Sequence, residues 1–422
     1  MHDTAALCED AARLLLDPFG PAAQDAAEFL DWLGCPIPAS PGPAERNRAL
    51  LLRAAARFTR LFSLDCPTAP GLAVFGAEVP LGFAQAAASG TGASLLDAFE
   101  GCVGEGVELL STVETAEDRA AFRPAPAAPE HADWLAALLP AGATPTEWLE
   151  LLRLDAPGSA WLPAGLLLRR AAPDFPAPWP LSIGCAAGPT REAAAEHALL
   201  ELIERDAAAL WWRGGRRGRP VALEDPASIA ATSLLATLRA GQAGRRSWLL
   251  DLTTDLGVPV LAALSTNPAG DGFCCGLAAR PSRAAAARAA VLEMAQMEMA
   301  HAVVLVKQAE PGSRLNAHDE ALLARYHGIR AGDCALLHPL GAADPAPDLP
   351  EPAMESLIGR LDARGIPVLA LDLTRPELGI PVVRMVCPGL EVEPSRILGA
   401  RLARTLIESG SADGQHGRIA LL

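Results

Sequence analysis

The chain has 422 residues, a formal net charge of −15, half of its residues hydrophobic and one fifth charged. That balance excludes a disordered polar chain and a general nucleic-acid binder, which needs a basic stripe to displace counterions. No apolar run approaches the roughly 20 residues that span a bilayer, and the opening MHDTAALCEDAARLLLDPFG has acids where a signal peptide has bases. The expectation is a soluble, cytoplasmic protein of two or three packed units or one large elaborated domain, with neither nucleic acid nor membrane as partner. The nine cysteines are scattered, odd in number and without a CxxC pair, so they read as small buried hydrophobes.

Residues 1 to about 66 read as helices, because Leu14, Leu15, Phe29, Leu30, Leu33, Leu50, Leu51, Phe58 and Leu61 recur at helical spacing. PIPASPGP at 36–43 breaks them into two parts. Strand-like text begins near GLAVFGAEVPLGFAQ, and Ser89-Gly90-Thr91-Gly92 reads as a glycine turn whose amides offer either a phosphate cradle or a plain turn. FRPAPAAPEHADWL around 122–134 reads as a linker or surface insertion (about 122–150), followed by a helix near EWLELLRL. The best strands are SWLLDLTT, VPVLAALST, VLALDLTR and IPVVRMV. LDLTTDLGVPV (250–260) and LDLTRPELGIPVV (371–383) echo each other as strand, turn and strand, with Gly257 and Gly379 turning. Residues 401–422 form a tail. The fold class is α+β, with sheets flanked by helices, internal pseudo-repeats and an N-terminal helical region.

A threefold repeat is more informative. GASLLDAFEGCVGEGVE, GPTREAAAEHALLELIE and RPSRAAAARAAVLEMAQ align without gaps from Gly92, Gly188 and Arg280. Each has a hydroxyl residue in third place (Ser94, Thr190, Ser282), suited to capping a helix, and Ser94-x-x-Asp97 resembles a capping box. Each has alanine four residues on (Ala98, Ala194, Ala286), then Glu105, Glu201 or Glu293, and three residues later Glu108, Glu204 or Gln296. Spacing of i and i+3 puts each pair on one helix face. The small residues a turn or two earlier, with Gly101 and Ala289, read as room for something to lie against that face. Converging carboxylates repel unless cations separate them, and hard oxygen ligands suit Mg²⁺ bridged to phosphates. Two readings stand at this point: duplicated helices with solvated polar faces, or a Mg-nucleotide site where the helices converge. His197 is a site residue or a satisfied helix histidine, Arg205 is placed to pair with Glu201, and Trp211-Trp212 reads as core. GGRRGRP (214–220) is a basic loop too small to argue for nucleic acid.

SIGCAAGPTREAAAEHALLELIERDAAALWW closely resembles the signature of the YcaO family, SNGLAAG-x-T-x-EEA-x-x-HAL-x-ELIERDA-x-x-x-WW. ASGTGASLLDAFEGCVGEGVE is similar to the family's first nucleotide motif, and RAAVLEMAQ to its E-x-x-Q segment. LDLTRPELGIPVVRMVCPGLE resembles the end of the domain in members found with TfuA-type partners. The resemblance spans about residues 67–400. It implies a YcaO-like fold and an ATP- and Mg²⁺-dependent enzyme acting on backbone amides of a ribosomally made precursor peptide. A nucleophile adds to the amide, ATP phosphorylates the oxyanion, and loss of phosphate leaves an azoline or, with external sulfide, a thioamide. It further implies that Glu105, Glu108, Glu201 and Glu204 hold Mg²⁺ and phosphates, and that Glu293 and Gln296 complete the nucleotide pocket. Arg205 stands near the phosphates, with Ser89, Gly90, Gly92 and His197 also in the cofactor-binding set. No catalytic residue is assigned. Three positions depart from the first motif: Thr91 for the usual Lys, Gly101 for Ser and Leu109 for Arg. They keep a second reading open, a non-catalytic homologue that binds peptide or scaffolds a modifying complex. The ending GRIALL lacks the proline-rich terminus of azoline formers, which tilts the reading toward thioamidation. The implied partners are the precursor peptide, a TfuA-like or leader-binding protein, and a second copy in a homodimer. The N-terminal helices have no counterpart in the resemblance; they read as peptide or partner docking, or as packing.

Overall fold

The structure, a computed structural model, describes residues 4–20, 24–343, 353–410 and 421. In chain order the elements are α1 (Thr4–Leu16), α2 (Gln24–Leu33), α3 (Pro43–Ala55), β1 (Arg60–Asp65), β2 (Ala73–Pro80), β3 (Gln85–Gly92) and α4 (Leu95–Ser111). There follow α5 (Ala116–Ala121), α6 (Ala132–Leu138), β4 (Trp148–Arg153), β5 (Ser159–Pro163), β6 (Cys185–Ala187), α7 (Arg191–Trp212) and α8 (Pro226–Arg239). The remainder is β7 (Arg246–Asp251), β8 (Val260–Thr266), β9 (Cys274–Ala279), α9 (Arg283–Ala309), α10 (Ala317–Gly328), α11 (Met354–Asp362), β10 (Leu369–Asp372), β11 (Val382–Val386) and α12 (Ala400–Ser409). The chain divides into two compact units, one of residues 1–65, 72–199 and 369–386, the other of 66–71, 200–368 and 387–422.

The first unit holds two antiparallel sheets, β1-β2-β3 and β5-β4-β10-β11-β6. β3 lies so close on α4 that a Cβ at Gly90 would sit 2.2 Å from the Ala98 carbonyl oxygen and the Cys102 nitrogen, so only glycine fits. The N-terminal helices pack into this unit through aromatic rings. Phe99 of α4 meets Phe29 of α2 edge-on at 6.3 Å and Phe75 of β2 at 5.7 Å, and Trp32 meets Phe75 at 5.8 Å.

The second unit is built on the antiparallel sheet β7-β8-β9, with α9 lying along β8, β9 and α8. β8 and β9 are buried throughout, as expected of a sheet covered on both faces. Among the described helices α9 is the one long and apolar enough to cross a membrane by length and composition, although Arg288, Glu293 and Glu298 interrupt its apolar run. It buries Glu298 and His301 within the unit.

Several local expectations hold. The proline-rich break separates α2 from α3, Gly257 and Gly379 turn with φ of +66° and +67°, and Trp211 and Trp212 are core. Others are corrected. EWLELLRL forms β4, not a helix: Trp148, Leu149 and Leu151 are buried, and pairing with β5 and β10 overrides its helix-forming residues. Residues 60–65 are strand β1, not helix. Ser89 to Gly92 close strand β3, paired with β2, and are not a turn. The proposed tail contains α12, whereas 411–420 and 422, most of GRIALL among them, lie outside the described residues.

Candidate functional site

Each repeat opens on the expected cap. Ser94 Oγ accepts from Asp97 N–H at 3.1 Å, Thr190 Oγ1 from Ala193 N–H at 3.2 Å and Ser282 Oγ from Ala285 N–H at 3.3 Å. A short strand precedes each helix: β3 before α4, β6 before α7 and β9 before α9. Three of the small residues read as room for a ligand, Ala98, Ala194 and Ala286, are packed away, whereas Gly101 is exposed and Ala289 half-buried. Ala98, Ala194 and Ala286 are fully buried, and the Ala98 carbonyl is what a Cβ at Gly90 would strike.

In the first unit, Ser89 N–H donates to Glu105 Oε2 at 2.8 Å and Ala187 N–H donates to Glu108 Oε1 at 2.8 Å. The Ser89 amide, read from the sequence as a phosphate donor, is therefore taken by a carboxylate. Gly92 is buried at the end of β3. In the second unit, Leu277 N–H donates to Glu293 Oε2 at 3.0 Å and Ala279 N–H to Glu204 Oε2 at 3.1 Å. A rule emerges. The first carboxylate of a repeat (Glu105, Glu293) accepts from the strand of its own repeat. The second (Glu108, Glu204) accepts from the strand of the next, at the residue aligned with Thr91. Because that donor is a backbone group, the bond is indifferent to whether Lys, Thr or Ala occupies the position.

Glu204 is buried, yet its Oε1 accepts no hydrogen bond; the nearest cation, Arg205 Nη2, is 3.5 Å away. Arg205 Nη2 also stands 3.5 Å from Glu201, and Arg205 Nε lacks a partner. Burial pushes the Glu204 carboxyl up to about 8; Glu293 and Glu201 add to the rise, and Arg205 and Arg280 oppose it. Burial likewise raises Glu293. Burial disfavours the charge on Arg205, and Glu204, Glu201 and Glu293 override it, so its pKa rises. Arg205 is therefore a partly buried cation set among Glu201, Glu204 and Glu293, not a surface partner of Glu201 alone. Glu201 and Gln296 are half-buried, and His197 lies exposed on α7. Leu109, in place of the family's Arg, is buried, and Gly101 is exposed with room for a side chain.

Among the described residues no cluster of three or more His, Cys, Asp or Glu side chains forms a metal cage of protein groups alone. The donor set instead suits a hard cation such as Mg²⁺, which takes one or two carboxylates and completes its shell with water and phosphate oxygens. The unsatisfied, buried Oε1 of Glu204 is where such a cation relieves a cost.

Sequence reasoning missed two features. Asp206, the last acid of ELIERD, is fully buried and pairs with Arg401 while accepting from Glu391 N–H at 3.0 Å. The GGRRGRP arginines brace loops: Arg216 donates to the carbonyls of Leu252 and Thr253 at 3.0 and 2.7 Å, and Arg217 donates to that of His338 at 2.9 Å.

Residues 89–391 match the sequence model of the YcaO cyclodehydratases, whose description names ATP and Mg²⁺ binding. A protein of Rhizobium leguminosarum bv. trifolii, described as an uncharacterized protein in the tfuA 3′ region, is 28% identical over 281 residues, 63% of this chain and 66% of its own. A heterocyclase in complex with substrate and cofactor shares the fold at 21% identity with a TM-score of 0.65, over 85% of this chain and 53% of that one. The YcaO protein of Methanopyrus kandleri, bound with AMPPCP and Mg²⁺, does so at 21% identity with a TM-score of 0.57, over 83% and 91%. The chain thus spans about half of the heterocyclase and just under two thirds of the Rhizobium relative. On the family match and the fold together, this chain belongs to the YcaO family, whose cofactors are ATP and Mg²⁺.

Proposed function

We propose that the chain activates a backbone amide of a ribosomally made precursor peptide in an ATP- and Mg²⁺-dependent reaction that yields a thioamide or an azoline. ATP supplies the phosphoryl group that turns an amide oxygen, otherwise a very poor leaving group, into one that departs. The chain's own contribution is a set of carboxylates, of which Glu105, Glu108, Glu204 and Glu293 are anchored on strand amides. Glu105, Glu108, Glu201 and Glu204 hold Mg²⁺, Glu293 and Gln296 complete the nucleotide pocket, and Arg205 stands by with a charge its neighbours keep in place. The observation that carries this reading is the buried Glu204 Oε1 without a hydrogen bond, in a carboxylate whose other oxygen is fixed by the Ala279 amide. The relative described by its place in a tfuA 3′ region supports a TfuA-like partner. The reaction is placed in the cytoplasm, where ATP and new peptides are available.

Calorimetric titration of the protein with ATP, with and without Mg²⁺, beside a Glu201→Gln/Glu204→Gln variant, tests the proposal. Binding that requires Mg²⁺ and disappears in the variant supports it. Wild-type protein that is folded and binds no ATP at millimolar concentration sinks the free-standing enzyme and favours the scaffold reading suggested by Thr91, Gly101 and Leu109.

A further inference from the structure

β7 is the outer strand of its sheet, paired with β8 on one side only. On the other side Asp251 exchanges two backbone hydrogen bonds with Arg219, both of 2.9 Å. Strand alternation then fixes that the N–H and C=O groups of Leu249 and Ser247 point the same outward way. The pairing stops at Pro220, and among the described residues no backbone group meets Ser247 or Leu249 on that side. A sheet edge left open in this way is a template for another extended chain.

Beside the open edge lies a cavity of about 630 Å³. Four consecutive residues of β7, Arg246 to Leu249, line it. Successive strand side chains face opposite ways, so an approach at the edge touches all four. Its depth is apolar, walled by Ala231 and Leu235 of α8 and by Val291 and Met294 of α9, and Leu223 stands 88% exposed at the lip. The one charged side chain of the lining is that of Arg246. Arg246 and His338 line the cavity, no acid does, and Arg246 is exposed without an ion-pair partner among the described residues. In a chain of net charge −15 such a patch selects for an acidic partner.

We propose that this groove docks an extended, acidic and apolar segment of a peptide, which adds as a strand along β7, seats one large aliphatic side chain in the cavity and places a carboxylate by Arg246. The inference rests on the function proposed above: the segment is a part of the precursor peptide outside the residues to be modified. Main-chain bonds to Ser247 and Leu249 give affinity, and the cavity and Arg246 give selectivity.

The probe is a fluorescein-labelled heptapeptide, Asp-Val-Asp-Leu-Asp-Val-Asp, followed by anisotropy, with its Lys-for-Asp counterpart as control. Three variants interrogate separate parts of the groove. Ser247→Pro removes an outward N–H that the ladder with β8 does not use, a change edge strands tolerate. Thr232→Trp fills the cavity from an exposed position on α8. Arg246→Glu inverts the charge. The expected result is salt-sensitive binding of the acidic peptide that weakens about tenfold in each of the first two variants and about fivefold in the third, with circular dichroism unchanged. No binding at millimolar peptide, equal binding of the lysine counterpart, or binding untouched by all three variants overturns it. So does a dimer that Ser247→Pro converts to monomer, because the edge then belongs to a second copy. ATP and Mg²⁺ titrations of the same proteins keep the two ideas apart: intact nucleotide binding with no peptide binding ends the groove alone.

Discussion

Asp206 and Arg401 are joined by a two-pronged pair across 195 positions of sequence, with Nε to Oδ1 at 2.9 Å and Nη2 to Oδ2 at 2.9 Å. Asp206 is fully buried and sits next to Arg205 and Glu204, so α12, which carries Arg401, is tied to the helix that carries the acidic pair. Removing Asp206 takes away the buried partner, while Arg401 keeps Asp255, whose Oδ1 lies 2.7 Å from its Nη2. Asp206→Ala is therefore expected to cost about 1–3 kcal/mol in urea unfolding, short of the loss when a buried charge is left with no partner, and Asp206→Asn, which keeps the shape and loses the charge, to cost less. Equal stability of wild type and Asp206→Ala would refute the brace.

The affinity for Mg²⁺ is expected to rise with pH. In the metal-free protein burial holds Glu204 protonated up to about 8, and a cation must displace that proton. Each unit of pH below that value then weakens apparent Mg²⁺ binding by up to about tenfold. Titrations at pH 6, 7 and 8 check the trend, and Glu204→Gln is expected to flatten it.

A backbone donor can be removed only by changing the backbone. Ala187→Pro eliminates the N–H given to the half-buried Glu108, and losing one hydrogen bond to a charged group costs about 1.5–3 kcal/mol. Mg²⁺-dependent ATP binding is expected to weaken in that variant and to survive in Ala187→Ser; calorimetry on the pair decides.

His301 is buried, its Nδ1 3.1 Å from Cys274 Sγ and its Nε2 without a partner. Burial, assisted by Arg325 and Arg245, lowers its pKa from 6.5 to about 4. The unfolded chain takes up a proton below pH 6.5 that the folded chain refuses, so stability is lost as pH falls through this window. The loss is about 2 kcal/mol between pH 7 and pH 5. Urea unfolding of wild type and His301→Gln at both values isolates it; the same slope in both proteins would remove His301 as its source.

The repeat was legible in sequence because its parts are local: Ser94, Thr190 and Ser282 cap their own helices, and the acidic pairs follow at fixed spacing on the same helix. What completes the pairs was not legible. The Ala187 and Ala279 amides that hold Glu108 and Glu204 lie 79 and 75 residues from them and carry no side-chain signal. β4 was misread for a related reason. Its residues favour helix, and the partners that make it a strand include Leu369 and Ala370, more than two hundred positions away. The Asp206–Arg401 pair, the Cys274–His301 contact and the open edge of β7 are likewise products of distant packing.

The length and apolarity of α9 carry a consequence for how the protein is made. A 27-residue helix with an 18-residue window of mean hydropathy 1.4 is the segment that an insertion apparatus or a chaperone would seize first from a growing chain. α10 follows it and covers Val304 through Leu322 and Leu323, but the three elements that α9 packs against most widely, α8, β8 and β9, all precede it in the sequence. During synthesis they leave the ribosome before it does, so the helix emerges toward partners that already exist, and the order of translation itself shortens the time its surface is bare.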